Sequence, residues 1–310
     1  MIKTIVTTTI NPPSKSLHLF SQKKDWELII IGDISTPHEL FRKFEETNKN
    51  VSYLSPEDQE KKYPKLSQAI GWKKIQRRNI GYVEAYVRGA EIIASVDDDN
   101  IPSKDWGENL FVGKKIEVIY YKTKLPSFDP IGATNYSHLW HRGYPLQLIS
   151  QRSYMSKSKQ MVRADVQADF WDGDPDVDAI CRMIFSPICK FKKNFFPMAS
   201  NKISPFNSQN TFLTRKILKD YFLFPDIGRM DDIWASFYLQ GLGYKVVYGK
   251  PTVFQDRNLH DLTKDMKDEY LGYENNLKII ELVVENPEKI FSFLPRSSIK
   301  AFEIYRKHLA

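Results

Sequence analysis

The run Glu91-Ile92-Ile93-Ala94-Ser95-Val96-Asp97-Asp98-Asp99-Asn100 constrains this chain more than any other stretch. Its apolar half has the make-up of a buried strand, which in an α/β protein reads as a continuous hydrophobic segment. Its acidic half cannot follow into the core, because three adjacent buried carboxylates suffer desolvation and mutual repulsion. The acids therefore belong at the strand's carboxyl end, where open α/β sheets bind ligands. There Asp97 and Asp99 supply two hard oxygen ligands of the kind that hold Mg²⁺ or Mn²⁺ while water and substrate phosphates complete the shell. A solvated acidic turn is the competing reading of the triplet taken alone.

The flanking segments give that strand its setting. Residues 2–8 are apolar and β-branched and break at Asn11-Pro12-Pro13-Ser14, and residues 26–31 form a second strand ending in Gly32-Asp33. Thr36-Pro37-His38-Glu39 reads as a capping box opening a helix over 37–49. Residues 51–54 are a third strand, and Ser55-Pro56 opens another helical turn. Ile80, Val83, Tyr86, Val87 and Ala90 recur at helical spacing and predict a helix over 73–90 that feeds the acidic strand. Strand, helix and strand at this spacing give a parallel-sheet rhythm, and the strand ends at 8–14, 33, 53–55 and 97–99 are expected to line one pocket.

Beyond Pro102 the pattern loosens. Residues 115–121 are a strand, and 125–161 form a long aperiodic stretch of a kind that is often functional. Residues 162–170 alternate, 208–214 resemble a buried strand, and Asp231-Asp232 precede an amphipathic helix ended by Gly241 and Gly243. Another strand over 244–248 and helices over 264–285 and 297–308 follow. The expected domain is 1–262, with a nucleotide-binding half (1–105) and an acceptor and catalytic half (106–262), followed by a C-terminal helical extension (263–310).

Composition narrows the partners. The chain has 310 residues, 42% of them hydrophobic, enough for one large domain. It shows no apolar run of membrane-spanning length and no leader, so a cytoplasmic protein is expected. Cys181 and Cys189 lack metal-site spacing and read as reduced, buried thiols. A formal charge of +7 suits anionic partners without choosing among them. The lack of zinc-finger spacing, of a ribonucleoprotein motif and of a long basic helix argues against nucleic acid. The tail 286–310 mixes Lys289, Arg296, Lys300, Arg306 and Lys307 with Ile290, Phe291, Phe293, Leu294, Phe302 and Ile304. Such a pattern fits either peripheral contact with an anionic membrane or packing on the domain. Oligomeric state is not legible.

Taken in order, these parts resemble nucleotide-sugar glycosyltransferases of the GT-A fold. Arg78-Asn79-Ile80-Gly81-Tyr82, Gly89-Ala90 and Asp97-Asp98-Asp99 look like the approach to their metal-binding Asp-x-Asp motif. The helix from Asp232 to Gly243, followed by Tyr244-Lys245-Val246, is similar to the segment bearing their catalytic carboxylate. A closer resemblance is to STELLO-type glycosyltransferases and to the reversibly glycosylated polypeptides, which include UDP-arabinopyranose mutases. It is carried by Arg142-Gly143-Tyr144-Pro145, Pro175-Asp176-Val177-Asp178-Ala179, Asn207-Ser208-Gln209-Asn210-Thr211-Phe212 and Gly228-Arg229-Met230-Asp231-Asp232-Ile233-Trp234-Ala235. Thr7-Thr8-Thr9-Ile10-Asn11-Pro12-Pro13, Tyr53-Leu54-Ser55 and Gln255-Asp256-Arg257-Asn258-Leu259-His260 lean towards the STELLO type. The resemblance spans residues 3–275.

What it implies is an α/β, GT-A-like mixed sheet flanked by helices, with a C-terminal helical extension. The implied reaction is metal-dependent transfer of a sugar from a nucleotide-diphosphate donor, UDP-linked, to the hydroxyl of a carbohydrate or lipid-linked acceptor in polysaccharide or glycoconjugate synthesis. Mn²⁺ or Mg²⁺ would be held by Asp97, Asp99 and His260. The donor would meet Thr8, Asp33 at its base, Arg78, Asn79 and Asp98 at ribose or phosphate, and Arg142 and Arg257 at the diphosphate. Asp232 would be the general base, with Asp231 sharing or replacing that role. Trp140 and Trp171 are candidate platforms for a sugar face.

Each residue also has a plainer reading: His260 a surface loop residue, Asp33 a turn former, Arg78 a solvated helix face, Asp232 a simple helix cap. Two other functions stand beside the transferase. One is a mutase in which Arg142 receives the sugar, though Ile149 stands where the mutases carry a second functional arginine. The other is a non-catalytic scaffold that retains the fold. The STELLO membrane anchor has no counterpart in the sequence, so a Golgi setting is not implied.

Overall fold

The computed structural model describes residues 1–152, 156–256 and 261–310. Its first part alternates strands and helices: β1 (Lys3–Thr9), α1 (Lys15–Ser21), β2 (Glu27–Gly32), α2 (His38–Thr47), β3 (Val51–Leu54), α3 (Pro56–Lys62), α4 (Pro64–Ile70), α5 (Arg78–Val87) and β4 (Ile92–Val96). Strands β3, β2, β1 and β4 are adjacent in that order and parallel. Every residue of β4 is buried, as expected for an interior parallel strand covered on both faces. Helix α5 packs on β1 and β2 and comes so close that a Cβ on Gly81 would lie 2.4 Å from Val6 Cγ1.

The second part adds β5 (Asn100–Pro102), β6 (Lys115–Lys122), β7 (Ser156–Arg163), β8 (Val166–Gly173), α6 (Ala179–Phe185), β9 (Met198–Ser200), β10 (Asn210–Thr214), α7 (Asp231–Gly241) and β11 (Val246–Gln255). Among the described residues one mixed sheet runs β3-β2-β1-β4-β10-β8-β11-β9-β6-β7, with β5 paired to β11. Strand β10 is antiparallel to both β4 and β8, and β11 is parallel to β8. The carboxyl ends of β1, β2, β4, β8 and β11 and the start of β10 therefore share one edge of the sheet. Helices α8 (Leu262–Glu285) and α9 (Arg296–Lys307) complete the chain. A mixed α/β sheet flanked by helices, with a C-terminal helical extension, is the architecture expected from the sequence.

Several local expectations change. The helix expected over 73–90 starts only at Arg78, after a 3-10 turn at Ile75–Arg77. Lys73 adopts φ 60°, and the Lys73 and Lys74 N–H groups donate to Asp33, which holds that stretch outside helical geometry. The Thr36 capping box does not form: its hydroxyl donates to Thr9 O at 2.6 Å, and α2 starts without a side-chain cap. Strand β7 lies at the sheet edge, largely exposed and bearing Lys157, Lys159 and Arg163. Its polar face hid it within the aperiodic stretch, and such charges keep an edge from pairing with other chains.

The C-terminal tail packs on the domain. Ile290, Phe302, Tyr305 and Leu309 are buried, Phe302 lies against Phe222, Phe224 and Tyr238, and the Tyr305 hydroxyl donates to Leu218 O at 2.8 Å. The apolar face that suggested membrane contact is thus spent on the core. Among the described residues no helix is long and apolar enough to cross a membrane. Cys181 and Cys189 are free and buried, as expected.

Candidate functional site

A cavity of about 210 Å³ opens at the shared strand-end edge, with Asp97, Asp99, Asp231, Asp232, Arg142 and Asp176 in its wall. Two other cavities, about 210 and 770 Å³, contain none of these residues. The fold thus brings together, from positions more than a hundred residues apart, both expected metal-binding carboxylates and both expected catalytic ones.

Asp97 and Asp99 follow β4 directly. Arg78, at the start of α5, donates to Asp97 Oδ1 at 2.6 Å and to Ser208 O and Oγ at 3.0 Å, and reaches Thr8 Oγ1 at 3.5 Å. Burial alone would lower the pKa of this fully enclosed guanidinium; Asp97 beside it outweighs that and holds it charged. Arg78 is therefore not a solvated residue: it is buried and braces Asp97. Asp99 Oδ2 accepts from Gln255 Nε2 at 2.9 Å.

Asp98 points elsewhere. Its carboxylate accepts from the Thr9 hydroxyl and, at 3.2 Å, from the Asn11 amide, while its carbonyl accepts from the Ser14 hydroxyl. It ties the loop after β1 to the strand end, and burial pushes its carboxyl pKa up.

Three further groups of expected contact residues are engaged within the protein. Asp33 accepts from three backbone amides, Ile34 at 2.6 Å and Lys73 and Lys74 at 3.0 Å, so its carboxylate pins a loop. Asn79 is fully buried and pairs both amide atoms with the Leu223 backbone at 2.8 and 2.9 Å. Trp140 and Trp171 are buried, the first donating to Asp178 at 2.6 Å and the second packed against Phe170 and His141. Neither offers a face to a sugar. Arg257 and His260 lie outside the described residues.

Arg142 makes the densest network. Its Nε and Nη2 grip the two oxygens of Asp176 at 2.9 Å. Nη1 and Nη2 reach the two oxygens of Asp232 at 3.0 and 3.2 Å, and Nη1 also donates to Arg229 O. All five N–H groups thus have protein acceptors. Burial opposes the charge, but Asp176 and Asp232 outweigh it and raise the pKa well above the usual arginine value. In this arrangement the guanidinium is engaged by protein acceptors, although it stands in the cavity wall where the donor phosphate or sugar was expected to meet it. Gly143, at φ 91°, allows the approach: a Cβ there would lie 2.3 Å from Ile233 Cγ2 on α7.

The two acids at the start of α7 differ. Asp232 Oδ2 also accepts from Ser208 N at 2.9 Å and Ser208 Oγ at 3.2 Å, so both its oxygens are committed. Asp231 Oδ2 accepts from Gln76 Nε2 at 2.7 Å. Burial, with the charge of Asp232 beside it, pushes the Asp231 carboxyl up to about 7. Gln76 escaped the sequence reading because nothing marks a lone glutamine ahead of a helix. Asp176 and Ser208 sit in segments quoted for the resemblance, but no role could be attached to them there.

No family model matches the chain. Probable glycosyltransferase STELLO2 of Arabidopsis thaliana is 22% identical over 315 residues, covering 93% of this chain and 40% of that protein. Probable glycosyltransferase STELLO1 of the same plant is 22% identical over 190 residues, covering 57% and 24%. The chain thus spans less than half the length of these curated relatives. Among solved structures, the mannosyltransferase PcManGT from Pyrobaculum calidifontis, in complex with GDP-Man and Mn²⁺, covers 99% of this chain and 73% of its own at 12% identity and a TM-score of 0.44. Glucosyl-3-phosphoglycerate synthase from Mycobacterium tuberculosis, in complex with phosphoglyceric acid, covers 90% and 79% at 11% identity and a TM-score of 0.48. Over 93% of its length, this mixed α/β chain is similar in sequence to the probable glycosyltransferase STELLO2.

Proposed function

We propose that the chain is a metal-dependent glycosyltransferase that moves a sugar from a nucleotide-diphosphate donor, UDP-linked, to the hydroxyl of a carbohydrate or glycolipid acceptor. The observation that carries this reading is the cavity in which Asp97 and Asp99, from the end of β4, meet Asp231 and Asp232, from the start of α7. The sequence similarity to STELLO glycosyltransferases supports the same reaction class.

The donor set fits a hard divalent cation, Mn²⁺ or Mg²⁺. Asp97 and Asp99 are oxygen ligands at a strand end, and among the described residues no third His, Cys, Asp or Glu completes a cluster with them. A cation there would draw the rest of its shell from water and donor phosphates, and would neutralise charge building on the departing nucleotide. Arg78 orients Asp97 for that task through its 2.6 Å contact. Asp231 is the better general base of the two acids: Gln76 holds one of its oxygens, burial raises its proton affinity, and Asp232 is engaged by Arg142 and Ser208. In a direct displacement Asp231 takes the acceptor proton as the new glycosidic bond forms, and Asp232 with Arg142 and Asp176 keeps α7 in place.

Calorimetric titration with UDP is the test. Binding is expected to require Mn²⁺ or Mg²⁺ and to be largely lost in Asp99→Ala; equal affinity in EDTA, or unchanged affinity in the variant, overturns the metal role. Donor hydrolysis in the presence of Mn²⁺ separates the transferase from a non-catalytic scaffold. A mutase acting through Arg142 predicts a sugar adduct by intact-mass spectrometry. The engaged guanidinium and Ile149 at the second arginine position argue that none forms.

A further inference from the structure

Helix α6 ends in a way that helices in water ordinarily avoid. Its inward residues Cys181 and Arg182 are buried, and Arg182 donates to Asp174 and, at 2.7 Å, to Pro175 O. The next three residues turn outward: Met183, Ile184 and Phe185 are 42%, 61% and 42% exposed, and Ile188 is 72% exposed. A run of exposed apolar residues is an error in a surface pattern unless it meets something, and contiguous patches of this kind mark contact sites.

The patch is held in place. Ser186 closes the helix in a left-handed conformation at φ 41°, and Cys189 exchanges backbone hydrogen bonds with Gly173 at 2.7 and 2.8 Å. Because Gly173 is the carboxyl end of β8, this loop lies along the same sheet edge as the cavity. Its charge is one-sided. Lys190, Lys192 and Lys193 follow and are exposed, and no Asp or Glu occurs in the sequence between Asp178 and Asp220. The acid facing them is Asp172, partly buried, which accepts from Phe191 N at 2.9 Å and feels the charge of Lys190 and Lys193. None of the three lysines enters an ion pair among the described residues.

We propose that Met183, Ile184, Phe185 and Ile188, with Lys190, Lys192 and Lys193, form a peripheral docking face for an anionic lipid bilayer. The apolar side chains enter the boundary between headgroups and acyl chains while the lysines meet anionic headgroups, the two attractions that together make interfacial binding strong. A protein partner would account for the apolar residues alone; three unpaired lysines on the same loop favour an anionic surface. Docking there sets the strand-end cavity beside the bilayer. That the cavity then receives a lipid-linked acceptor rests on the transferase reading; the docking does not.

The experiment is flotation of the full chain, without donor or metal, on vesicles of phosphatidylcholine alone and of phosphatidylcholine mixed equally with phosphatidylglycerol. The chain is expected to float with the anionic vesicles only and to be released by salt. Lys190→Gln/Lys192→Gln/Lys193→Gln should lower the partition coefficient on the order of a hundredfold, and Ile184→Ser/Ile188→Ser should abolish flotation. All five positions are exposed, and circular dichroism and donor hydrolysis should match the unaltered chain. Failure of the full chain to float, or flotation unchanged in Ile184→Ser/Ile188→Ser, overturns the proposal. So does a dimer in solution that this variant returns to monomer, which would give the face to a second copy. Absent flotation with intact hydrolysis sinks the docking alone, and flotation without hydrolysis sinks the transferase reading alone.

Discussion

Asp231 and Asp232 are neighbours in sequence and belong to different electrostatic worlds. Asp232 shares Arg142 with Asp176 and takes two hydrogen bonds from Ser208, whereas Asp231 has a neutral glutamine for its partner. Asp231→Asn keeps the shape and the Gln76 contact but cannot accept a proton, so it should bind donor and metal normally and lose transfer by about 10²- to 10⁴-fold. Normal turnover in that variant would return the base role to Asp232 or remove it altogether. The pH profile follows from the same residue. Its folded pKa is raised to about 7 and only the ionised form accepts a proton, so kcat/KM should fall as pH drops below about 7 and flatten above it. A profile flat down to the ordinary carboxylate range would exclude Asp231 as base.

At the level of elements, two junctions place residues of the cavity wall. One is the seat of α5 on β1 and β2, where Gly81 leaves no room for a methyl group. Gly81→Ala should destabilise the fold by about 1–3 kcal/mol, as overpacking does, and should weaken metal-dependent binding as well, since Arg78 sits three residues earlier on the same helix. The measurement is denaturant unfolding beside the UDP titration. The other junction is the Arg142 fork, which joins the loop before Asp178 to the first turn of α7. Removing one partner of a buried pair leaves the other charges uncompensated, at a cost of about 3–5 kcal/mol. Arg142→Met should unfold at correspondingly lower denaturant; a midpoint equal to that of the unaltered chain would mean the network adds nothing to stability.

On the scale of the whole molecule, the C-terminal helices complete the core. Phe302 and Tyr305 lie against Phe222, with Tyr238 beside Phe302, and α9 packs on α4. A chain ending at Glu285 would expose that cluster to water, where burying one such aromatic is worth about 1.5–3 kcal/mol. It is expected to aggregate or to unfold without cooperativity, as followed by light scattering and thermal melting. A truncated chain that unfolds as sharply as the full one would make the extension a dispensable appendage.

Legibility in the sequence followed the range of the interaction responsible. Local pattern was enough for the parallel first half, the buried strand ending in acids, and the helices that became α7, α8 and α9, because apolar periodicity and glycine breaks act between near neighbours. The candidate carboxylates were legible for the same reason: adjacent acids cannot enter a core, so their position at an element's end is implied by the chain itself. Which hydrogen-bond partners each of them meets was decided only by tertiary structure. Arg142 read as a ligand for phosphate, and in the fold Asp176, Asp232 and the Arg229 carbonyl take its five donors; Asp33 read as a base contact, and in the fold it accepts from the backbone of Lys73 and Lys74. Gln76 became a partner of Asp231 across 155 residues. A polar side chain's role depends on what completes its hydrogen bonds, and those partners arrive from distant segments that no local period records.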